Sequence, residues 1–429
     1  MEAELHADVV VAGGGLGGGA AALAAARSGR TVVLTEETDW LGGQLTAQAV
    51  PPDEHPWIER FGCTASYRRL RHGIRDHYRA WYPLSNAARR AAVLNPGGGR
   101  VGTLCHEPRV ALAVIEAMLG PHCRSGRVRV LTRHRPVAAD VHGDQVLAVA
   151  IDSPNGPVTV SGEFFLDATE TGELLPLTGA EHVTGFEAQT DSGEPSAPAE
   201  AQPDNLQAVT VCFALDHLAG QDHTIDRPPA YHWWREHRPS AWPERQLSLV
   251  APHPRTGEPM TRRLTPNPDD DPINVAVDLH AEGGDVELWT FRRIAARRAF
   301  VPGAYPSDVT LVNWPMVDYL EGPLYGGSDA DNVGHLDGAR ELSRSFLYWL
   351  QTEAPRPDGG TGYPGLYLRP DLVGTADGLA KYAYIRESRR IKAVFTVAEQ
   401  HVGAAARGIQ RGEPGAGEPF PDSVGVGCY

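Results

Sequence analysis

Gly13, Gly15 and Gly18 stand in the spacing G-x-G-x-x-G, and each glycine of that spacing has a mechanical use. The residues before it, Ala7–Ala12, form an apolar run. Those after it, Leu16–Ser28, are rich in alanine, the best helix former, and stop at Gly29, a natural helix end. A strand that turns on glycines into a helix offers an anion the helix's free N–H groups and its positive dipole end. Gly13 permits the tight turn, Gly15 lets a pyrophosphate come close to the backbone, and Gly18 lets helix and strand pack closely. Thr31–Leu34 reads as the next strand. Glu36 follows it 18 residues after Gly18, about the distance that brings a carboxylate to a ribose hydroxyl. The chemistry indicated is dinucleotide binding. Leu16, at the helix start, belongs to the same expected site.

Other residues of chemical type are less tied to a pattern. Cys105-His106-Glu107-Pro108 sets a histidine beside a carboxylate where a helix begins. His106 is a candidate base; equally, His106 and Glu107 could simply cap that helix. Arg386, Arg389 and Arg390 crowd into five residues. Such arginines make a fork for a carboxylate, or a surface ion-pair cluster with Glu387. Arg386 and Arg390 are taken as candidate catalytic residues with His106. His217, His223, His232 and His237 show no H-E-x-x-H spacing, so no metal site is expected. Tyr231, Trp233 and Trp234 suit an apolar pocket or ordinary packing. Neither a G-x-S-x-G elbow nor a P-loop lysine occurs, so serine hydrolysis and nucleotide triphosphate hydrolysis lack support.

Composition narrows the class. The 429 residues are 41% hydrophobic and 22% charged, as in an ordinary soluble globular protein. A net charge of −15 argues against nucleic acid or an anionic membrane surface as main partner. Cys63, Cys105, Cys123, Cys212 and Cys428 are odd in number and include no C-x-x-C pair. Reduced thiols and a cytoplasmic location are the expectation, and Met1–His6 lacks a basic-then-apolar signal.

The elements that must position these residues can be read coarsely. A β-α-β unit spans 8–36. A helix runs over Tyr67–Tyr82, with arginines on one side and Leu70, Ile74, Tyr78 and Trp81 as its inner face. Another begins at Pro108 and continues over Val110–Leu119. Short strands then follow at Val128–Leu131, Val137–Val141, Val146–Ile151 and Val158–Ser161, with turn clusters between them. Phe164–Asp167 reads as a buried strand returning to the first sheet. A meander after a β-α-β start suits a flavin-binding domain better than a nicotinamide one. Glu187–Asn205 and Ala251–Pro272 read as loops. Strands are expected near Ala208–Ala214, Ile273–Val277 and Val309–Val312, and helices at Ile294–Phe300 and Asp331–Glu353.

Gly13–Gly19, Glu36, Leu41-Gly42-Gly43-Gln44, Leu166–Leu174 and Tyr384–Ile391 together resemble FAD-dependent oxidoreductases with the two-domain flavin fold related to succinate dehydrogenase flavoproteins. The resemblance covers most of the chain. It implies an α/β fold: a Rossmann-like FAD-binding domain with an inserted β-meander, plus an α+β substrate domain. The implied division is 1–186 for the FAD domain, 187–375 for the substrate domain, and 376–429 for a return to the first. FAD is the implied cofactor, with Gly42, Gly43 and Gln44 along its pyrophosphate and ribityl chain, and Asp167, Ala168 and Thr169 beside the glycine turn. The arginines could then stabilise a reduced flavin's charge as well as a substrate carboxylate. The implied partners are a small organic substrate and, as reoxidant, oxygen or a carrier. Members usually run on beyond the equivalent of Val424–Val426. The expectation is therefore an incomplete flavin pocket at Asp422–Gly427, finished by another chain or left more exposed. Two rival readings follow, a FAD-fold protein without turnover and a NAD-binding dehydrogenase.

Overall fold

The computed structural model describes residues 3–240, 242–254, 256–274, 286–411, 417–423 and 425–426. The first six strands form one sheet: β1 (Ala3–Ala12), β2 (Val32–Glu36), β3 (Val128–Thr132), β4 (Arg135–His142), β5 (Gln145–Asp152) and β6 (Val158–Asp167). Their order is β3-β2-β1-β6-β5-β4. β2 and β6 both run parallel to β1, and β3 runs parallel to β2, whereas β4, β5 and β6 pair antiparallel. This is a Rossmann-type α/β sheet carrying a meander.

The run Val9–Ala12 is apolar without alternation because both faces of the sheet are covered. Val9 and Val11 pack beneath α1 (Leu16–Arg27), α2 (Ala65–Trp81) and the Pro108–Arg124 helix. Val10 and Ala12 point the other way, into a smaller cluster with Val149, Ile151 and Val160. Parallel registry brings Ala12 opposite Asp167. The glycine turn after β1 and the Ala168–Glu170 segment after β6 therefore leave the sheet side by side, at the end where ligands of open α/β sheets bind.

Several expectations need correction. Val158–Ser161 and Phe164–Asp167 are one strand, not two, and Phe164 is 60% exposed rather than buried. Gly162 between them marks close approach rather than a break, since a Cβ there would lie 2.8 Å from the Ala7 carbonyl oxygen. In α2, Leu70, Ile74 and Tyr78 are buried as expected, but Trp81 is 78% exposed while Arg71 and Arg75 are buried. Ile294–Phe300 is not a helix: Arg293–Ala295 is a strand, followed by a 3-10 turn at Arg297–Ala299. The segment expected as a loop over Ala251–Pro272 holds nearly all of a small hairpin, Val250–Pro252 paired with Pro259–Thr261. The strand expected at Ile273–Val277 falls partly outside the described residues, as do Val424, Gly427 and Cys428.

A second sheet, wholly antiparallel, has the order Arg293–Ala295, Val309–Val312, Phe213–His217, Leu366–Leu368. The Asp329–Thr352 helix lies against it and buries Leu342, Phe346 and Leu350. A reciprocal capping box between Ser328 and Asp331 starts that helix. Near the other end of the chain, Arg390 and Ile391 pair with Val183 and His182.

Candidate functional site

The site begins at the β1–α1 turn. Gly13 has φ +95°, and a Cβ there would lie 2.2 Å from the Ala168 carbonyl oxygen. At Gly18 a Cβ would lie 1.9 Å from the Gly13 carbonyl oxygen. Neither position accepts a side chain. Gly15 is different: within 4 Å an added Cβ would meet only Glu170 Oε1, at 3.1 Å. Gly15 is also the N-cap of α1 and gives it no side-chain cap, so the first N–H groups of the helix lack intrahelical partners. Leu16 lies at this helix start, but it lines an apolar pocket with Leu23, Tyr67 and Met118. Only its backbone N–H can serve an anion here.

Glu36 closes β2 and is 8% exposed. Its Oε2 accepts the Gly14 N–H at 3.0 Å. Its Oε1 accepts the Thr38 N–H at 2.8 Å and the Thr38 hydroxyl at 2.7 Å. Burial pushes its carboxyl up, and these hydrogen bonds oppose the shift. Gly42 donates its N–H to the Gly14 carbonyl at 2.8 Å, which docks the loop after β2 onto the glycine turn. A Cβ at Gly43 would come within 2.7 Å of Glu170 Oε1 and 3.1 Å of Gly15 Cα. Gln44 turns away and donates to the Pro51 carbonyl at 3.3 Å. Gln48 lines the cavity instead. It is 1% exposed; its Nε2 makes no well-formed hydrogen bond but stands toward the Glu170 carboxylate, whose charged form it favours.

Across the turn, Ala168 donates its N–H to the Ala12 carbonyl at 2.7 Å. Asp167 organises the backbone: Oδ1 accepts from the Thr169 N–H and hydroxyl, and Oδ2 from the Leu174 N–H at 2.8 Å. Its carboxylate is spent on the turn, whereas Ala168 and Thr169 face the cavity.

Gly13, Gly15, Glu36, Gly43, Gln48, Ala168 and Thr169 thus surround one small cavity, with His134 and Pro136 at its wall. It shares Glu37, Pro136, Thr171, Glu173 and Tyr382 with a wider cleft of about 680 Å³. That cleft extends to Tyr325, Leu336 and Arg389. His134, Gln48 and Tyr382 carry no spacing signal in the sequence, because they come from three separate segments.

The three candidate catalytic residues lie elsewhere. His106 is 1% exposed. Its Nδ1 is 3.0 Å from the Glu107 carbonyl, and Nε2 is unpartnered. Burial and the nearby Arg71 bring its pKa down to about 4, and it lines neither cavity. Glu107 sends its carboxylate to the Tyr78 hydroxyl at 3.0 Å rather than capping the helix. Arg386 is engaged by the Ala208 carbonyl, Thr210, Asn313 and Asp318. Arg390 binds the Gly185 carbonyl, Glu187 and Glu387. Arg389, between them in sequence, is the arginine that faces the cleft. It donates to the Thr171 carbonyl at 2.7 Å and lies 4.9 Å from the Tyr325 ring centroid. No carboxylate among the described residues makes an ion pair with it.

Among the described residues no cluster of His, Cys, Asp and Glu could hold a metal ion. No helix among them is long and apolar enough to cross a membrane. The groups around the cavity suit a dinucleotide: an open backbone face at Gly15, an uncapped helix start, the buried Gln48 amide and a fixed acid at Glu36.

No curated protein matches the chain. Solved structures similar to it include L-proline dehydrogenase from P. horikoshii, with 15% identity over 45% of this chain and 26% of that one (TM-score 0.23). The p-nitrophenol 4-monooxygenase from Pseudomonas putida DLL-E4 gives 18% identity over 51% and 48% (TM-score 0.29). The glycerol-3-phosphate dehydrogenase from Bacillus halodurans, complexed with FAD, gives 12% over 49% and 40% (TM-score 0.28). The chain spans about a quarter of the first and under half of the other two. The family model described as "FAD dependent oxidoreductase" matches residues 8–429: the chain belongs to that family, and its cofactor is FAD.

Proposed function

We propose that this protein transfers a hydride between a small organic substrate and FAD, with the adenosine and pyrophosphate half of FAD lying over the Gly13–Gly18 turn. The carrying observation is the convergence of the ends of β1, β2 and β6 on one cavity that opens into a wider cleft. FAD, when bound, supplies the hydride acceptor or donor. Glu36 would hold ribose hydroxyls, and the α1 N-terminus and Gln48 Nε2 would hold the pyrophosphate. Ala168 and Thr169 would leave the space that larger side chains would fill.

Arg389 is our candidate for orienting the substrate. It has no carboxylate partner in place among the described residues, its guanidinium stacks on Tyr325, and Leu324 and Leu336 offer apolar wall nearby. Those features suit a substrate with an anionic end and an apolar body. We assign Arg386 and Arg390 to holding the backbone rather than to catalysis. The division at 186 and 375, with a relation to succinate dehydrogenase flavoproteins, is part of this reading. The pairing of Arg390–Ile391 with His182–Val183 supports a return of the chain to the first segment. The reoxidant in this reading is oxygen or a carrier, and the buried thiols of Cys105 and Cys212 suit a reducing cytoplasm.

A second reading has one observation in its favour. The Glu170 carboxylate stands against Gly15 and Gly43, which suits a FAD-fold protein that binds nucleotide or a partner without turnover. Anaerobic addition of a panel of 2-hydroxy acids, amino acids and aryl carboxylates to the FAD-loaded protein separates the two. Bleaching of the flavin band by any member, with a raised half-saturation in Arg389→Gln, supports hydride transfer from an anionic substrate. A flavin that dithionite reduces but no panel member does would favour the second reading.

A further inference from the structure

Glu170 follows Ala168 and Thr169 out of β6 and enters the cavity. Its Oε1 lies 3.1 Å from where a Gly15 Cβ would be and 2.7 Å from where a Gly43 Cβ would be. Those two glycines come from different segments, one after β1 and one after β2. Both leave backbone bare, and one carboxylate oxygen covers both bare faces. The same surface carries the helix start and the Gln48 amide, which suit an anion.

Among the described residues no cation answers this carboxylate. From β2, Glu36 faces it and adds like charge; from the loop after β2, Gln48 favours its charged form. Tyr382 senses Glu37, Glu173, Glu170 and Arg135 together. Arg135, the base in that set, is already paired with Glu173 at 2.9 Å. Burial raises the Glu170 carboxyl above its ordinary range, and the charge of Glu36 adds to the rise.

We infer that Glu170 governs cofactor capture: its carboxylate stands on the surface assigned to the pyrophosphate, so FAD settles there with Glu170 protonated. An anionic side chain and an anionic pyrophosphate cannot share one small cradle at low cost. A proton on Glu170 removes the repulsion and turns an acceptor into a donor toward phosphate oxygen. Binding therefore takes up a proton, and affinity for FAD falls as pH rises above the Glu170 pKa. The inference rests on the placement of FAD proposed above.

The test uses the full chain stripped of flavin and titrated with FAD, read by quenching of flavin fluorescence, between pH 5.5 and 8.5. In the wild type the dissociation constant should rise with pH, approaching about tenfold per unit where one proton is linked. Glu170→Gln should bind more tightly than the wild type at pH 8.5 and lose most of that slope. Glu170→Ala gives the same expectation should the glutamine variant fold poorly. Calorimetry of the wild type in buffers of different ionisation enthalpy needs no variant and should show net proton uptake on FAD binding at pH 8. Zero uptake, or the same pH slope in wild type and Glu170→Gln, would overturn the inference and leave the cofactor placement standing. Unchanged FAD affinity in Gly15→Val would instead overturn the placement.

Discussion

Glu36 shows what one residue does at two levels. Its carboxylate accepts three hydrogen bonds, one from Gly14 and two from Thr38, and so fixes the glycine turn before any ligand arrives. The same group is our candidate for the ribose hydroxyls. Glu36→Arg removes the acceptor from both tasks. A charge-assisted hydrogen bond contributes about 1.5–3 kcal/mol, so FAD affinity should fall by at least tenfold, and the 450 nm to 280 nm absorbance ratio of the purified protein should fall with it. A folded variant with full flavin content would remove Glu36 from the site. His106 makes the opposite case. Its folded pKa of about 4 lies below the free value near 6.5, so the unfolded chain binds the extra proton between those limits. Stability from this group is complete above pH 6.5 and is lost as pH falls toward 4, by roughly 3 kcal/mol at most. His106→Gln should lose less stability than the wild type between pH 7 and pH 4.5 in urea titrations. Equal losses in the two proteins would show that His106 ionises freely when folded. The glycine spacing and Glu36 were legible because their roles follow from local backbone geometry. The place of His106 was not, since neither spacing nor residue type reports that it is buried beside Arg71 with its ring held on the Glu107 carbonyl.

At the scale of the element, α2 carries the most charge into the interior. Its apolar face followed from periodicity, with Leu70, Ile74 and Tyr78 inside. Its arginine face did not read as interior, yet Arg71 and Arg75 are buried because two glutamates from the preceding segment meet them. Arg71 pairs with Glu54 and Glu59, and Arg75 with Glu59 at 2.6 Å. Thr103 adds its hydroxyl to Glu59 at 2.7 Å. A sequence shows the charges of such a network but not the loop path that joins them. Though burial opposes it, the hydrogen bonds from Arg75 and Thr103 and the charge of Arg71 hold the Glu59 carboxyl down at about 2. A carboxylate depressed in this way stabilises the fold above its unfolded pKa, near 4.5, and the contribution disappears as pH falls from there toward 2. Glu59→Gln should therefore destabilise the protein at pH 6 by about 2–3 kcal/mol, with some of that lost to solvent screening. The gap between variant and wild type should shrink by pH 3.5. A gap of the same size at both pH values would show that packing, not charge, accounts for it.

Across the whole molecule, the two sheets do not have separate interiors. Val9 and Leu34 of the first sheet share one apolar cluster with Ala214, Ile294 and Leu311 of the second. α2 and the Pro108–Arg124 helix lie between them and contribute Tyr78, Val110 and Ile115. Phe300 sits at that junction. It is 2% exposed, its ring is 4.4 Å from that of Tyr305, and its backbone bridges to Leu84 just beyond the end of α2. The sequence presents residues 294–300 as a helical stretch of a separate substrate unit, because Ile294 and Phe300 are apolar and alanines lie between them. Their strand and 3-10 turn are set instead by pairing with Val309–Val312 and by the helices they face. A shared core couples FAD retention to the integrity of the second sheet, even though no residue of that sheet lines the glycine-turn cavity. Phe300→Ala removes a large ring from this junction, and truncations of that kind cost about 3–5 kcal/mol. In a chain of this length the cost corresponds to a fall of only a few degrees in melting temperature, roughly 3–6 °C. The temperature at which flavin fluorescence is released and the temperature at which helical circular dichroism is lost should fall together, by similar amounts. Were the ellipticity transition to split or shift while flavin release stayed at its wild-type temperature, the sheets would be unfolding as independent units and the coupling argued from their common core would be wrong.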